Sequence, residues 1–573
     1  MRSSSLVALA FTLLACHAEA EPELPAPADA PDSQLATRGI RLRGELRDHQ
    51  GERLVAAHVS IFRANYREPV LDAELGEDGR FELELPAPGV YNMRLAGVDH
   101  AREYLTFAAD QEPVELSVRL GTYPREDPGD VLALKARWID ADGQPGSNFS
   151  IEARRPSTSD AHQLDLEAPE GARALQYQLV SKDQGTFNGP GGQRWQYDGG
   201  GDYWAEVARD EAQAQLQLSF NLAALPPPGH RAQIELRGAL SYPQTEARAL
   251  QQPYQPRINA VFEQLAETED QATAAEAMQA IADDARRTIE ALDDPALAKA
   301  AALEWMWMFG QFGRHELLDA EALTWVFERV PVDDRFWAFA AGRLSTAFGG
   351  FLDSPRIQAQ RVALAEHQRE PGLLAELLFL DLYAADERGD QAAIRELYPR
   401  LAQGYPGSYP AFYAASSYDP DRPLLPGKPM PEWSFPGLDD SAPVVQSADL
   451  QGQPYLLDIW ASWCGPCVAE MPALHEAHAA MVEAASDAKP AVRFVALSMD
   501  ASAGDVERFR EQWPMPWTHA LVPADEHQAL HDRWSFSGVP TLVLVDADGT
   551  IVAAGKELRG EALLPTLREF VER

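Results

Sequence analysis

Cys464 and Cys467 enclose Gly465-Pro466, and two thiols at that spacing have few uses. Placed at the start of a helix, they can close on each other. The first then meets the positive end of the helix dipole and backbone N–H groups that lack intrahelical partners. Both effects favour the thiolate, which makes a nucleophile near neutral pH. The competing use of a Cys-x-x-Cys pair is half of a zinc site. Zinc would need a second pair of ligands, yet the only other cysteine is Cys16, and no His-x-x-x-His with cysteine partners lies nearby. A purely structural disulfide across so short a loop gains little, because it removes little chain entropy. Dithiol–disulfide exchange is the expected chemistry.

The elements that must hold the pair can be read on both sides of it. Tyr455-Leu456-Leu457-Asp458-Ile459-Trp460 is an apolar strand that runs through Ala461-Ser462-Trp463 into the cysteines, and a helical stretch follows. Strand, Trp-Cys-Gly-Pro-Cys and helix together resemble the thioredoxin redox signature. The resemblance implies a C-terminal α/β thioredoxin-like domain over 423–573, entered through the proline-rich linker 423–437. It also implies roles. Asp458, six before Cys464, takes the place of a buried carboxylate that exchanges protons with the second cysteine. Pro472, five after Cys467, takes that of the helix-kinking proline. Val539-Pro540-Thr541 is similar to the cis-proline loop that faces the cysteines and offers backbone groups to a substrate strand. With Trp463 these residues would form the docking rim.

Cys467-Val468-Ala469-Glu470-Met471-Pro472 narrows the resemblance. Cys-x-x-Glu-x-Pro is similar to TlpA/ResA-like anchored thiol-disulfide oxidoreductases. A strand over 492–500 with a helix over 503–513 fits the insertion those proteins carry, and 450–454 fits their lead-in. Close relatives of ResA have a non-acidic residue where this chain has Asp458. Asp458 and Glu470 would then set two carboxylates near one dithiol, pushing their pKa values apart or raising those of the thiols. The other reading of Glu470 is an exposed first-turn acid stabilised by the helix dipole. Both stand at this stage.

Other candidates carry less. His527 and His531 are four apart, but Gln528 stands where a zincin has glutamate and no third ligand follows. His475 and His478 read as solvated or half-buried. Gly189-Pro190-Gly191-Gly192 lacks the Lys-Ser/Thr ending of a phosphate loop, and Asn148-Phe149-Ser150 is disregarded as a sequon. There is no Gly-x-Ser-x-Gly elbow, no dinucleotide fingerprint and no Thr-x-x-Cys peroxidatic motif. No metal and no cofactor are expected.

Upstream the chain reads as a multidomain protein. Residues 39–124 alternate apolar and polar positions between turns such as Asp78-Gly79 and Pro88-Gly89, and resemble a carboxypeptidase-regulatory-like β-sandwich. A second β-rich domain is expected over 125–250. An α-helical domain should occupy 251–422, with helices over 266–292, 295–312 and 317–330. A helix pair over 373–413 should turn at Arg388-Gly389-Asp390, like one tetratricopeptide unit. Trp305-Met306-Trp307-Met308-Phe309 is read as core.

The first sixteen residues read as a lipoprotein signal. Arg2, the apolar run 6–14 and Leu13-Leu14-Ala15-Cys16 match a secretory h-region and a lipobox, with lipid placed on Cys16. Residues 17–38 would be an acidic, proline-rich tether, extending about 3 Å per residue. His17, rather than Asp, leans towards the outer membrane in the lipoprotein sorting pattern. With 49 basic against 88 acidic residues the formal charge is −39, which repels phosphates and excludes nucleic acid as a partner.

The expected protein is therefore a lipid-anchored thiol-disulfide oxidoreductase on the periplasmic face of the envelope. It would act as a reductase of protein disulfides, with cytochrome c maturation proteins or metallochaperones as clients. By family resemblance a DsbD-like membrane carrier would resupply its electrons. A dithiol oxidase or isomerase is the alternative within enzymes. The alternative outside them is a lipoprotein adaptor with a redox-sensing domain.

Overall fold

The computed structural model describes residues 39–572 except 55–56, 76–77, 98–99, 123–129, 141–148, 170, 185–192, 198–202, 208–214, 222–228, 269, 439–443, 486–491, 501–502 and 524–525. Cys16, the signal, the tether, Asn148 and the glycine run at 189–192 lie outside the described residues. One unit holds the first β domain and the helices; another holds the second sheet and the C-terminal domain.

Alternation between residues 40 and 119 yields β1 (Ile40–Arg47), β2 (Ala57–Arg63), β3 (Pro69–Leu75), β4 (Arg80–Leu85), β5 (Gly89–Gly97), β6 (Glu103–Ala109) and β7 (Val114–Arg119). β1 pairs antiparallel with β4 and parallel with β7; β2, β3, β5 and β6 form the other sheet. Leu42, Val59, Ile61, Phe81, Tyr91, Phe107 and Val114 fill the space between the two, so this is a sandwich.

Strands β8 (Val131–Asp140), β9 (Phe149–Arg154), β10 (His162–Glu167), β11 (Ala172–Gln184), β12 (Gln193–Tyr197), β13 (Tyr203–Glu206) and β14 (Gln215–Phe220) form one seven-stranded sheet. The described residues here build a single sheet rather than a second sandwich. The expected boundary at 250 is also corrected. β15 (Gln233–Arg237) pairs with β7, and β16 (Ala239–Ser241) pairs with β6, so both belong to the first sandwich. Gly238 makes the step between its two sheets. It holds φ +76, and a Cβ there would meet the Pro113 carbonyl oxygen at 2.0 Å.

Helices α1 (Gln244–Ala249), α2 (Gln255–Thr268), α3 (Gln271–Glu290), α4 (Pro295–Gly310), α5 (Ala320–Arg329) and α6 (Leu344–Phe348) follow. After them come α7 (Pro355–His367), α8 (Pro371–Glu387), α9 (Gln391–Gly404) and α10 (Tyr409–Tyr418). The helix expected over 266–292 begins only at Gln271, because the Asp270 side chain accepts from the Thr273 N–H and caps it. The pair expected over 373–413 is three helices. The second arm, α9, ends at Gly404; Gly407, at φ +79, turns the chain and α10 starts two residues later. Trp305, Met306 and Phe309 are buried as expected, with Trp337 and Phe348 beside them in the same core. No described helix is long and apolar enough to cross a membrane.

One charge cluster ties α1, α4 and α6 together. Glu304, 1% exposed, accepts from the Tyr242 hydroxyl at 3.1 Å, from Arg248 Nε at 3.3 Å and from Arg343 Nη1. Removing the carboxylate strands Arg343, whose side chain is 13% exposed. Glu304→Ala should therefore cost about 3–5 kcal/mol of unfolding free energy. Chemical denaturation checks it, and a loss under 1 kcal/mol on that scale would show that Arg343 reaches solvent instead.

The last domain places β17 (Ser434–Pro436), β18 (Val444–Gln446), β19 (Tyr455–Trp460), α11 (Gly465–Glu483), β20 (Arg493–Ser498), α12 (Ala503–Gln512), β21 (Thr518–Leu521), α13 (His527–Trp534), β22 (Thr541–Val545), β23 (Ile551–Ala554) and α14 (Leu563–Glu572) in order. Its sheet runs β21-β20-β19-β22-β23. β19 is parallel to β20 and antiparallel to β22, and every residue of it is buried. Apart from Asp458 the strand is apolar, as a central strand covered on both faces requires.

Candidate active site

The buried strand β19 delivers the cysteines to one point. Four residues after it, Cys464 caps α11 from a non-helical backbone conformation, and its sulfur accepts from the Cys467 N–H at 3.1 Å. The two are joined as a disulfide with Cα atoms 5.2 Å apart. Cys464 is 5% exposed and Cys467 1%, while Trp463 beside them stands 56% exposed. Pro466 at the first turn of α11 suits a helix start, where its missing N–H costs nothing.

The loop before β22 closes the other side. The Val539–Pro540 bond is cis, and Cys464 Sγ lies 3.5 Å from the Val539 carbonyl oxygen. Thr541 donates its hydroxyl to the Gly538 carbonyl at 2.7 Å, which pins the loop. Val539, Pro540 and Thr541 are each partly exposed. Trp463 and this loop thus supply the accessible surface next to a sulfur that is itself nearly covered.

Asp458 points into the interior from the middle of β19. It is 4% exposed and neither carboxylate oxygen has a hydrogen-bond partner. Burial without compensation, with the Glu470 charge adding and Arg559 opposing, pushes its pKa up to about 7. Glu470 is not an exposed first-turn acid. It lies in the second turn of α11, with its side chain 12% exposed, and accepts from Arg559 Nε at 3.1 Å and the Gly560 N–H at 2.7 Å. Two carboxylates therefore share this end of the domain: one is hydrogen-bonded to Arg559 and Gly560, the other left without any partner.

Asp500 was not singled out in the sequence, and it holds the loop that carries the cysteines. At 1% exposed, it accepts from the Ser462 N–H at 3.0 Å, the Ser462 hydroxyl at 2.6 Å and the Ser498 hydroxyl at 2.7 Å. Burial raises its pKa, and the serine hydrogen bonds work against that rise. The signal for it was faint: one acid at the end of the apolar run 493–499, with its partner 38 residues earlier.

The histidines serve structure. His475 pairs with the Met471 and Pro514 carbonyls, and His478 packs on Phe494 and Trp517, where burial lowers its pKa. His527 and His531 bind the carbonyls of Val522 and Phe536. Among the described residues no cluster of three or more His, Cys, Asp or Glu could hold a metal.

Residues 452–551 match the thioredoxin-like family. A thiol:disulfide interchange protein DsbE of Xylella fastidiosa is 32% identical over 156 residues, covering 26% of this chain and 74% of that protein. A thiol-disulfide oxidoreductase ResA of Oceanobacillus iheyensis is 31% identical over 107 residues, 19% of this chain and 51% of its own length. Among solved structures, the thioredoxin domain of a thiol-disulfide oxidoreductase from Bacteroides vulgatus is 26% identical. It covers 26% of this chain and 99% of that one, with a TM-score of 0.23.

Two measurements follow from this geometry. Asp458's folded pKa is raised, so its cost is absent below about pH 4, grows as pH climbs, and is complete above about pH 7. Asp458→Asn should accordingly stabilise the reduced protein at pH 8 by roughly 2–4 kcal/mol and leave it unchanged at pH 4. An equal effect at both pH values in denaturant titrations would contradict a buried neutral acid. Asp500→Ala strands three donors, so it should cost about 2–4 kcal/mol. It should also speed amide exchange at Ser462 and Trp463 at least tenfold, on the order expected for one freed backbone contact.

Proposed function

Through its last quarter the chain belongs to the thioredoxin-like thiol-disulfide oxidoreductases that include DsbE and ResA, and from that we propose that it reduces protein disulfides through Cys464 and Cys467. The observation that carries this reading is Cys464 at the start of α11, with the Cys467 N–H aimed at its sulfur. A helix start and a donated N–H both stabilise a thiolate.

In the reduced enzyme the Cys464 thiolate attacks one sulfur of a client disulfide. A Cys464–client disulfide forms, and the other client sulfur leaves as a thiolate that takes up a proton. Asp458, ionised in part of the population near neutral pH, accepts the Cys467 proton. The Cys467 thiolate then displaces the client from Cys464. Two electrons pass to the client, which leaves as a dithiol, and the enzyme is left with the disulfide seen here. A membrane carrier of the DsbD kind would supply the two electrons that reset it. Glu470 acts by its charge, keeping the Asp458 pKa high enough for proton exchange near pH 7. Trp463, Val539, Pro540 and Thr541 form the docking rim, where an extended client strand can pair with the backbone of the cis-proline loop.

The rest of the reading concerns place. Lipid on Cys16 would hold the protein on the periplasmic face of the envelope, the outer membrane favoured by His17. The sandwich around 39–124 would be a carboxypeptidase-regulatory-like spacer, followed by β, helical and redox domains reaching 573. Cytochrome c maturation proteins and metallochaperones are the client classes proposed.

Cys467→Ala should accumulate clients disulfide-linked to Cys464 in cells, released by dithiothreitol, while Cys464→Ala should accumulate none. The Cys464–Cys467 couple should poise near the thioredoxin value of about −270 mV. A potential near −120 mV, typical of the oxidant DsbA, would make it an oxidase. Asp458→Asn should slow exchange roughly tenfold at pH 7 and remove an inflection near that pH from the rate profile.

A further inference from the structure

A cleft of about 690 Å³ opens between the outer face of the β5–β6 ribbon and the helices that follow the sandwich. Its volume lies in the range of ligand sites. Four arginines line it (Arg94, Arg102, Arg248 and Arg343) against one acid, Glu103, in a chain whose formal charge is −39. Glu304 from beneath neutralises only one charge of the Arg248–Arg343 pair. Arg94 sits on a neutral partner, the Ser60 hydroxyl, at 3.0 Å. Counting Glu103 and Glu304 against the four arginines leaves two positive charges in excess among these residues.

The second observation is backbone. β16 spans only Ala239–Ser241 and covers β6 from Phe107 to Ala109. The Tyr242 N–H bonds the Thr106 carbonyl at 2.9 Å, and the chain then departs into α1. Residues two apart on a strand direct their backbone groups to the same flank, so Tyr104 faces that flank as Thr106 does. Among the described residues no strand lies beside it there. Tyr104 is also 65% exposed, stands opposite Arg94 in the β5–β6 register, and lines the cleft.

We propose that this cleft binds an acidic peptide in extended conformation, adding as a strand beside Tyr104 in continuation of β16 while its carboxylates meet Arg94 and Arg102. Carboxylates suit guanidinium forks, and only a peptide backbone also uses a strand flank. A small anion would satisfy the arginines alone.

The test is fluorescence anisotropy of the full chain with a fluorescein-labelled heptapeptide alternating threonine and glutamate. Saturable binding is expected. Replacing glutamate by glutamine, or N-methylating the amides along one edge of the peptide, should each weaken it at least tenfold. The double substitution Arg94→Gln, Arg102→Gln should do the same, with its thermal melting curve unchanged. The proposal is overturned if no saturable binding is seen, or if the glutamine or N-methylated peptide binds as well as the parent. It also fails if the double variant keeps full affinity, or if glutarate and inorganic phosphate compete at the concentration of unlabelled peptide. None of these measurements needs a redox step, so the outcome is independent of exchange activity.

Discussion

The join between β19 and α11 is the constraint on which the redox domain depends. β19 is buried along its whole length, so it cannot slide or turn without exposing Leu456, Leu457 and Ile459. Burying side chains of that size is worth about 1.5–3 kcal/mol each, which fixes the end of the strand in space. Asp500 then fastens Ser462 to the neighbouring strand, and Cys464 has one place left, at the cap of α11. The cis-proline loop reaches the same sulfur from β22, the strand that flanks β19 on its other side. A nucleophile fixed by strands on both sides owes its reactivity to the fold rather than to the motif alone.

Buried acids in this protein follow two different rules. Glu304 and Glu470 each have a guanidinium and further donors as hydrogen-bond partners. Glu376, 3% exposed, has two backbone N–H groups from Gly342 and Ser345 but no cation, and burial pushes its pKa up to about 7. Asp458 has neither, and reaches a similar value by desolvation with a like charge close by. A carboxyl that titrates near the working pH costs stability when ionised and is useful only where a proton must move. In the mechanism proposed above, Asp458 rather than the better-partnered Glu470 therefore takes the proton-exchange role.

What could be read in the sequence was whatever is local. Trp-Cys-Gly-Pro-Cys after an apolar strand, the proline loop at 539–541 and the shift from alternating to helical spacing near 250 are all patterns within one or two elements. Most misses are long-range pairings. β15 and β16 are five and three residues long, too short to show whether they belong to the preceding sheet or to one more than a hundred residues back. One miss is local: apolar spacing continues across Asp270, yet its carboxylate accepts from the Thr273 N–H and starts a new helix there. Asp500 looked like any acid at a strand end until Ser462 was seen beside it. Arg343 and Glu304, 39 apart, gave no pattern at all.

The charge balance bears on the arginine cleft in a way that composition alone would misjudge. A net charge of −39 argues for repulsion of anions, and at long range it does repel them. At physiological salt, however, fields from exposed charges fade over about 8 Å, so a ligand inside the cleft responds chiefly to the walls around it. Those walls carry Arg94, Arg102 and a guanidinium pair half-neutralised by Glu304. Long-range repulsion slows the approach of an acidic segment, and short-range pairing slows its departure. Affinity of that kind resides in the off-rate and falls with added salt less steeply than surface-steered association would.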